Sequence, residues 1–111
     1  MRKVFFRTLA DLARKNKDIF IITADLGVKF IGDFKDLGSG RFVNVGIAES
    51  NMIGVAAGLA MSGKNVYCYS MIPFLIMRPF EQIRIDLCYN NLNVKLLGAG
   101  GGLIYGLEGV T

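Results

Sequence analysis

Residues Arg41 to Met61 read RFVNVGIAESNMIGVAAGLAM, and the fold follows from how that stretch divides. Arg41-Phe-Val-Asn-Val45 is a short β-type run that stops at Gly46, and an apolar, small-residue helix begins near Ala48. Glu49 stands at the junction, and no further charge follows before Lys64. Open α/β sheets build their binding crevices where strand carboxyl ends run into helix amino ends. On position alone Glu49 has two readings. It is either an ordinary first-turn carboxylate favoured by the helix dipole, or a carboxyl in an apolar site with a raised pKa, able to exchange a proton with a ligand.

The segments on either side supply the rest of an α/β pattern. Arg2 to Lys15 is expected as an amphipathic helix, with Phe5, Leu9 and Leu12 on one face and Lys3, Arg7, Asp11 and Arg14 around the other. Such a basic helix can touch a membrane, but its shortness, its Asp and the strand that follows favour a covering helix. Asp18 to Ala24 is a strand apolar on both faces, as central parallel strands are, ending at Asp25-Leu-Gly27. Val28 to Gly40 reads as a loop with one helical turn at Asp33 to Leu37. After the Glu49 helix, Asn65 to Ser70 is a third strand, Met71 to Arg78 an apolar connector, and Pro79 to Asn90 a helix with Pro at its first position. Phe80, Ile83, Leu87 and Cys88 keep its helical spacing, Leu92 to Leu97 is a fourth strand, and Gly98 opens a final loop. Alternating helix and strand predict a parallel, doubly wound α/β sheet with right-handed crossovers.

Composition narrows the function classes. The 111 residues make one domain at most, and 52% hydrophobic against 20% charged is enough apolar material for a core. No uncharged run approaches the roughly 20 residues of a membrane span, and the basic start Met1-Arg-Lys lacks the apolar run of a secretory signal. A net charge of +4 is spread along the chain, which is weak support for nucleic-acid binding and suits an anionic small molecule. Cys68 and Cys88 belong to no CxxC pair and are expected as two buried free thiols in a reducing cytoplasm. With no His, zinc chemistry and Ser-His or Cys-His nucleophiles are excluded from this chain alone. The Gly98-Ala-Gly-Gly-Gly102 run fails the dinucleotide fingerprint, because Leu103 stands where the third Gly belongs and no helix follows.

Val45-Gly-Ile-Ala-Glu49 and Asn51-Met-Ile-Gly-Val-Ala-Ala-Gly58 resemble the pyrimidine-binding domain of thiamine-diphosphate enzymes of the transketolase type. The resemblance is nearest to the C-terminal subunit of split transketolases, with deoxyxylulose-phosphate synthase as a cousin, and it runs from Thr23-Ala-Asp25 to Gly109-Val-Thr111. It implies a truncated thiamine-diphosphate-binding fold, a single domain over residues 1–111 that is incomplete at its C-terminal end, since the family carries a substrate-contacting His just after the position of Thr111. The implied catalytic residue is Glu49, whose carboxyl in the family donates a proton to N1′ of the aminopyrimidine so that the C2 proton of the thiazolium can be removed. The implied cofactor contacts are Asp25, near the thiazolium; Phe74, against the aminopyrimidine; Met77, near a second stacking position; Arg78, offset by one residue from an Arg of the synthase; and Ile47, in the apolar shell with Ile53. That shell would raise the Glu49 pKa and the helix dipole would lower it.

From the residues alone, Phe74 is as well a core aromatic, and Asp25 a strand-end turn residue. The family's Gly-Asp-Gly motif for Mg²⁺ and diphosphate is not matched by Gly32-Asp-Phe34, so no metal ligand is expected here and Mg²⁺ is assigned to a partner chain or domain. The expectation is therefore the pyrimidine side of a transketolase that moves a two-carbon ketol unit between sugar phosphates. It would be inactive alone and part of a homo- or hetero-oligomer, with neither membrane nor nucleic acid as partner. Gly54, Ala57, Gly58 and Met61 give the Glu49 helix a face for close packing, and its lack of a polar side calls for cover on nearly all sides. The rivals are a non-catalytic fragment that only packs on a partner, part of a synthase-like enzyme, and a nucleotide-binding module using the glycine loop.

Overall fold

The computed structural model describes residues 1–27, 29, 32–38 and 40–107, with backbone only at 33 and 35. The end of the expected last loop, Gly109-Val-Thr111, and parts of the loop from Val28 to Gly40 lie outside the described residues. In chain order the elements are α1 (Arg2–Lys15), β1 (Ile19–Thr23), α2 (Gly32–Lys35), β2 (Phe42–Asn44), α3 (Glu49–Met61), β3 (Asn65–Met71), α4 (Ile72–Met77), α5 (Phe80–Gln82) and β4 (Val94–Ala99). A π-type helical segment (Ile83–Tyr89) continues directly from α5.

The four strands form one parallel sheet in the order β2-β1-β3-β4. β1 pairs with β2 through Ile21 and Phe42, and with β3 through Ile19 and Asn65 to Thr23 and Tyr69. Parallel strands cannot be joined by tight hairpins, so each connection carries a helix over a face of the sheet. α1 and α2 cover one face, where Phe6, Leu9, Ala10, Ala13 and Phe34 bury Ile19, Ile21 and Tyr69. α3 and the π segment cover the other, with Met52, Ile53, Ala56, Ala57 and Leu87 on Ile22, Val66 and Cys68. This is the doubly wound α/β architecture expected, and it leaves β1 apolar on both sides.

Several local expectations are corrected. The buried stripe of α1 is Phe6, Leu9, Ala10 and Ala13 rather than Phe5, Leu9 and Leu12; Leu12 is exposed. Ala10 and Ala13 let the helix sit close to the sheet, with Phe6 and Leu9 filling the contact beside them. The expected connector at Met71 to Arg78 contains α4, started by Pro73 in its first turn. β4 runs two residues beyond Leu97, because Gly98 and Ala99 pair with Ser70 and Met71. A side chain at Gly98 would overlap Ile72 of α4. The wider π winding breaks the α-helical register after Gln82, with Leu87 buried and Cys88 exposed; Phe80, on α5, is also exposed. Cys88 is therefore not a buried thiol. Cys68 is buried, and burial pushes its thiol up to about 12.

One tie was not foreseen. Arg41, just before β2, donates to the carbonyl of Ala13 at 2.7 Å and of Leu37 at 2.6 Å. It satisfies a carbonyl in the last turn of α1 and anchors the loop ahead of β2. Ile22 lies at the centre of the α3 face and is fully buried. Ile22→Ala should lower unfolding free energy by about 2–5 kcal/mol, read as a reduced midpoint in chemical denaturation with the slope unchanged.

Candidate functional site

The chain crosses from one side of β1 to the other between β2 and β3, so strand order reverses at the β1–β3 pair. In doubly wound sheets the crevice beyond the strand carboxyl ends at this reversal is where ligands bind. A cavity of about 150 Å³ lies there, lined by Ala24, Asp25 and Leu26 after β1, Ile47 and Glu49 after β2, Ser70 and Met71 at the end of β3, and Phe74 on α4.

Glu49 is the first residue of α3, whose preceding Ala48 offers no side-chain cap. Its side chain is only 2% exposed. Ser70, buried on β3, donates Oγ–H to Glu49 Oε1 at 3.2 Å, and Arg78 donates Nη1–H to Oε2 at 2.9 Å. The Arg78 guanidinium also lies over the Phe74 ring, 3.9 Å from its centroid. Burial alone would raise the carboxyl pKa and is the largest single influence. The hydrogen bond from Arg78, the Glu49 backbone N–H, the charge of Arg78 and the Ser70 hydroxyl together outweigh it, and the pKa lies below its ordinary value of 4.5. The expected apolar shell is thus overruled by a cation that sequence reading placed against a cofactor instead.

Asp25 takes a left-handed backbone with φ 53°. Asn44, at the end of β2, holds it there: its Oδ1 accepts from the Asp25 N–H at 3.0 Å and the Gly46 N–H at 3.0 Å, while its amide donates to Asp25 Oδ1 at 3.2 Å. The carboxyl ends of β1 and β2 are locked together beside the cavity. Ile47 is on the rim, 75% exposed. Met77 is 77% exposed, on the last turn of α4 and outside the cavity lining. The structure brings Asp25, Ile47, Glu49 and Phe74 to one cavity and Arg78 to Glu49; Met77 stands apart. Ser70 and Asn44 were missed. Their signal was positional, since each polar side chain sits at the carboxyl end of an otherwise apolar strand.

A family model described as "Transketolase, pyrimidine binding domain" matches residues 1–111. The chain belongs to this family. Among its relatives, the transketolase pyrimidine-binding domain described here is 45% identical over 111 residues to an apulose-4-phosphate transketolase subunit of Phocaeicola vulgatus, covering 99% of this chain and 36% of that one. It is 38% identical over 110 residues to 1-deoxy-D-xylulose-5-phosphate synthase 1 of Geobacter sulfurreducens, covering 97% of this chain and 17% of that protein. A solved structure titled "Split gene transketolase, inactive beta4 tetramer" superimposes with a TM-score of 0.78 at 39% identity, over 87% of this chain and 33% of that one. The chain thus spans about a third of the length of its transketolase subunit relative.

Among the described residues no helix is long and apolar enough to cross a membrane, and no group of three or more His, Cys, Asp or Glu is placed to hold a metal ion. The pairing of Glu49 with Arg78 has a measurable consequence. A lowered folded-state pKa means that the pair's contribution to stability is complete above pH 4.5 and is lost as the pH falls through the lower folded value. In Arg78→Met only the burial penalty, the backbone N–H and Ser70 remain. The Glu49 carboxyl should then titrate above its ordinary value, followed by carbon NMR of the labelled side chain.

Proposed function

We propose that this domain supplies the pyrimidine side of a thiamine-diphosphate site in a transketolase that transfers two-carbon ketol units between sugar phosphates. The observation that carries the reading is a buried carboxyl beside an aromatic ring at the sheet's ligand-binding mouth: Glu49 with Phe74 on the cavity wall. The residues fit an aminopyrimidine. Phe74 offers a flat apolar face, Ile47 lies on the rim, and Glu49 would serve a ring nitrogen. When bound, thiamine diphosphate supplies the electron sink that lets a carbon–carbon bond next to a carbonyl be cut.

The chain's own part is to hold the ring and manage one proton at N1′. Glu49 would donate that proton and take it back as a general acid–base group; the lowered pKa it has beside Arg78 favours the accepting, ionised form. Ser70 fixes the carboxyl's orientation, and Asp25, held by Asn44, would present its carboxylate to the thiazolium end. Mg²⁺ and the diphosphate fall to a partner chain or domain. The compartment that suits two unpaired thiols is the cytoplasm. A part of a synthase would use Glu49 in the same way; identity of 45% to the transketolase subunit against 38% to the synthase favours ketol transfer.

In the complete enzyme, Glu49→Gln should leave fold and cofactor binding intact and slow hydrogen–deuterium exchange at the cofactor's C2 by about 10²–10⁴-fold or more. Exchange at the wild-type rate, measured by NMR, would leave Glu49 as a helix-start carboxylate only.

The partner is expected on α3. Ser50, Asn51, Gly54, Gly58 and Met61 are exposed along it, and nothing lies within 4 Å of the position of a Cβ at Gly54 or Gly58. The helix is therefore open on the side opposite the sheet, where the expected cover would come from a partner. Gly58→Leu should leave the protomer folded and weaken association by about 1–3 kcal/mol through overpacking. Sedimentation equilibrium of the complete protein checks this, and an unchanged assembly constant counts against the α3 interface.

A further inference from the structure

We infer that Arg78 is a built-in competitor for the two residues that would grip an aminopyrimidine, a guanidinium that holds Glu49 and Phe74 until the ring displaces it. The inference rests on the functional reading of Glu49 and Phe74 given above and goes beyond it. A guanidinium is planar, stacks on aromatic faces and presents N–H donors in its plane. An aminopyrimidine asks the same two things of the same two residues: a face to lie on and a carboxyl at its edge. In this structure one side chain already has both, at 3.9 Å from the Phe74 centroid and 2.9 Å from Glu49 Oε2.

Both carboxylate oxygens are engaged, Oε2 by Arg78 and Oε1 by Ser70. One partner has to yield before a ring nitrogen can be served. Ser70 is fixed inside β3 and buried, whereas the Arg78 side chain is 46% exposed and follows the last turn of α4. Its backbone is tied separately, since its carbonyl accepts the Ser50 hydroxyl at 3.4 Å. The guanidinium can therefore swing into solvent by side-chain rotation alone. Release also changes what Glu49 can do. Of the charged groups near it, Arg78 reaches it from the end of α4 and Asp25 faces the same cavity from β1. With the cation gone, burial favours the protonated carboxyl, the form that can donate to a ring nitrogen.

The test uses the complete enzyme stripped of cofactor, with thiamine as probe so that diphosphate contacts do not mask the pyrimidine slot. A ligand that must first clear an occupied slot binds more weakly by the fraction of open slot, so Arg78→Met should tighten thiamine binding about tenfold in titration calorimetry. Unchanged or weaker binding in Arg78→Met, with wild type still binding, overturns the inference and leaves the functional reading intact; it would make Arg78 a bystander or a cofactor contact. Binding by neither form overturns both. A second measurement needs no variant. In wild type, the Arg78 Nε–H NMR signal should lie in the ring-current-shifted position given by Phe74 and move to the solvent position as thiamine saturates. A signal that stays in place at saturation sinks the inference.

Discussion

The parallel pairing of β1 with β3 is the constraint on which the rest depends. Because the two strands run the same way, their carboxyl ends, Thr23 to Asp25 and Ser70 to Met71, open on the same side of the sheet. Parallel strands also force helices over both faces. Those helices bury Ile21 and Ile22 on opposite sides and fix the strand pair rigidly. β2 joins on the far side of β1, and the chain must then cross over to reach β3. That crossing is α3, and its first residue is Glu49. The position of the carboxyl at the mouth is thus a result of topology before it is a result of chemistry.

A buried carboxylate at such a place is costly without partners. Two are provided, and they differ in kind. Ser70 belongs to the sheet and cannot move without it. Arg78 comes from the end of α4 and stacks on Phe74 of the same short helix. The cation is therefore mounted on a half-exposed side chain, while the neutral partner is mounted on the frame.

Much of this was legible in the sequence where a pattern repeats. The apolar runs at Ile19 to Thr23 and Asn65 to Ser70, the small-residue helix from Glu49 and the alternation of elements carried the fold class. The stretch around Glu49 also carried the family. What was not legible depended on contacts between distant residues. Nothing near Arg78 in sequence says that it closes on Glu49, 29 positions away. The apolar neighbours and the helix dipole left the direction of the Glu49 pKa open, and the contacts with Arg78, Ser70 and the backbone N–H set it downward. α4 was missed because six residues are too few to show a period, and the π segment because periodicity assumes an α-helical turn. Asn44 stood within the β-type run from Arg41 to Val45 and proved to be the clasp on Asp25, a role that exists only once β1 and β2 are paired.

The unequal thiols have a practical side. Cys68 lies within the sheet with its ionisation pushed to about 12, so at neutral pH it offers almost no thiolate, the species that reacts. Cys88 is exposed on the π segment. To an alkylating reagent the folded domain presents a single handle, and that handle is on the face of the sheet that carries α3. A spectroscopic label could be attached there to the native sequence, without first deleting a cysteine from the core.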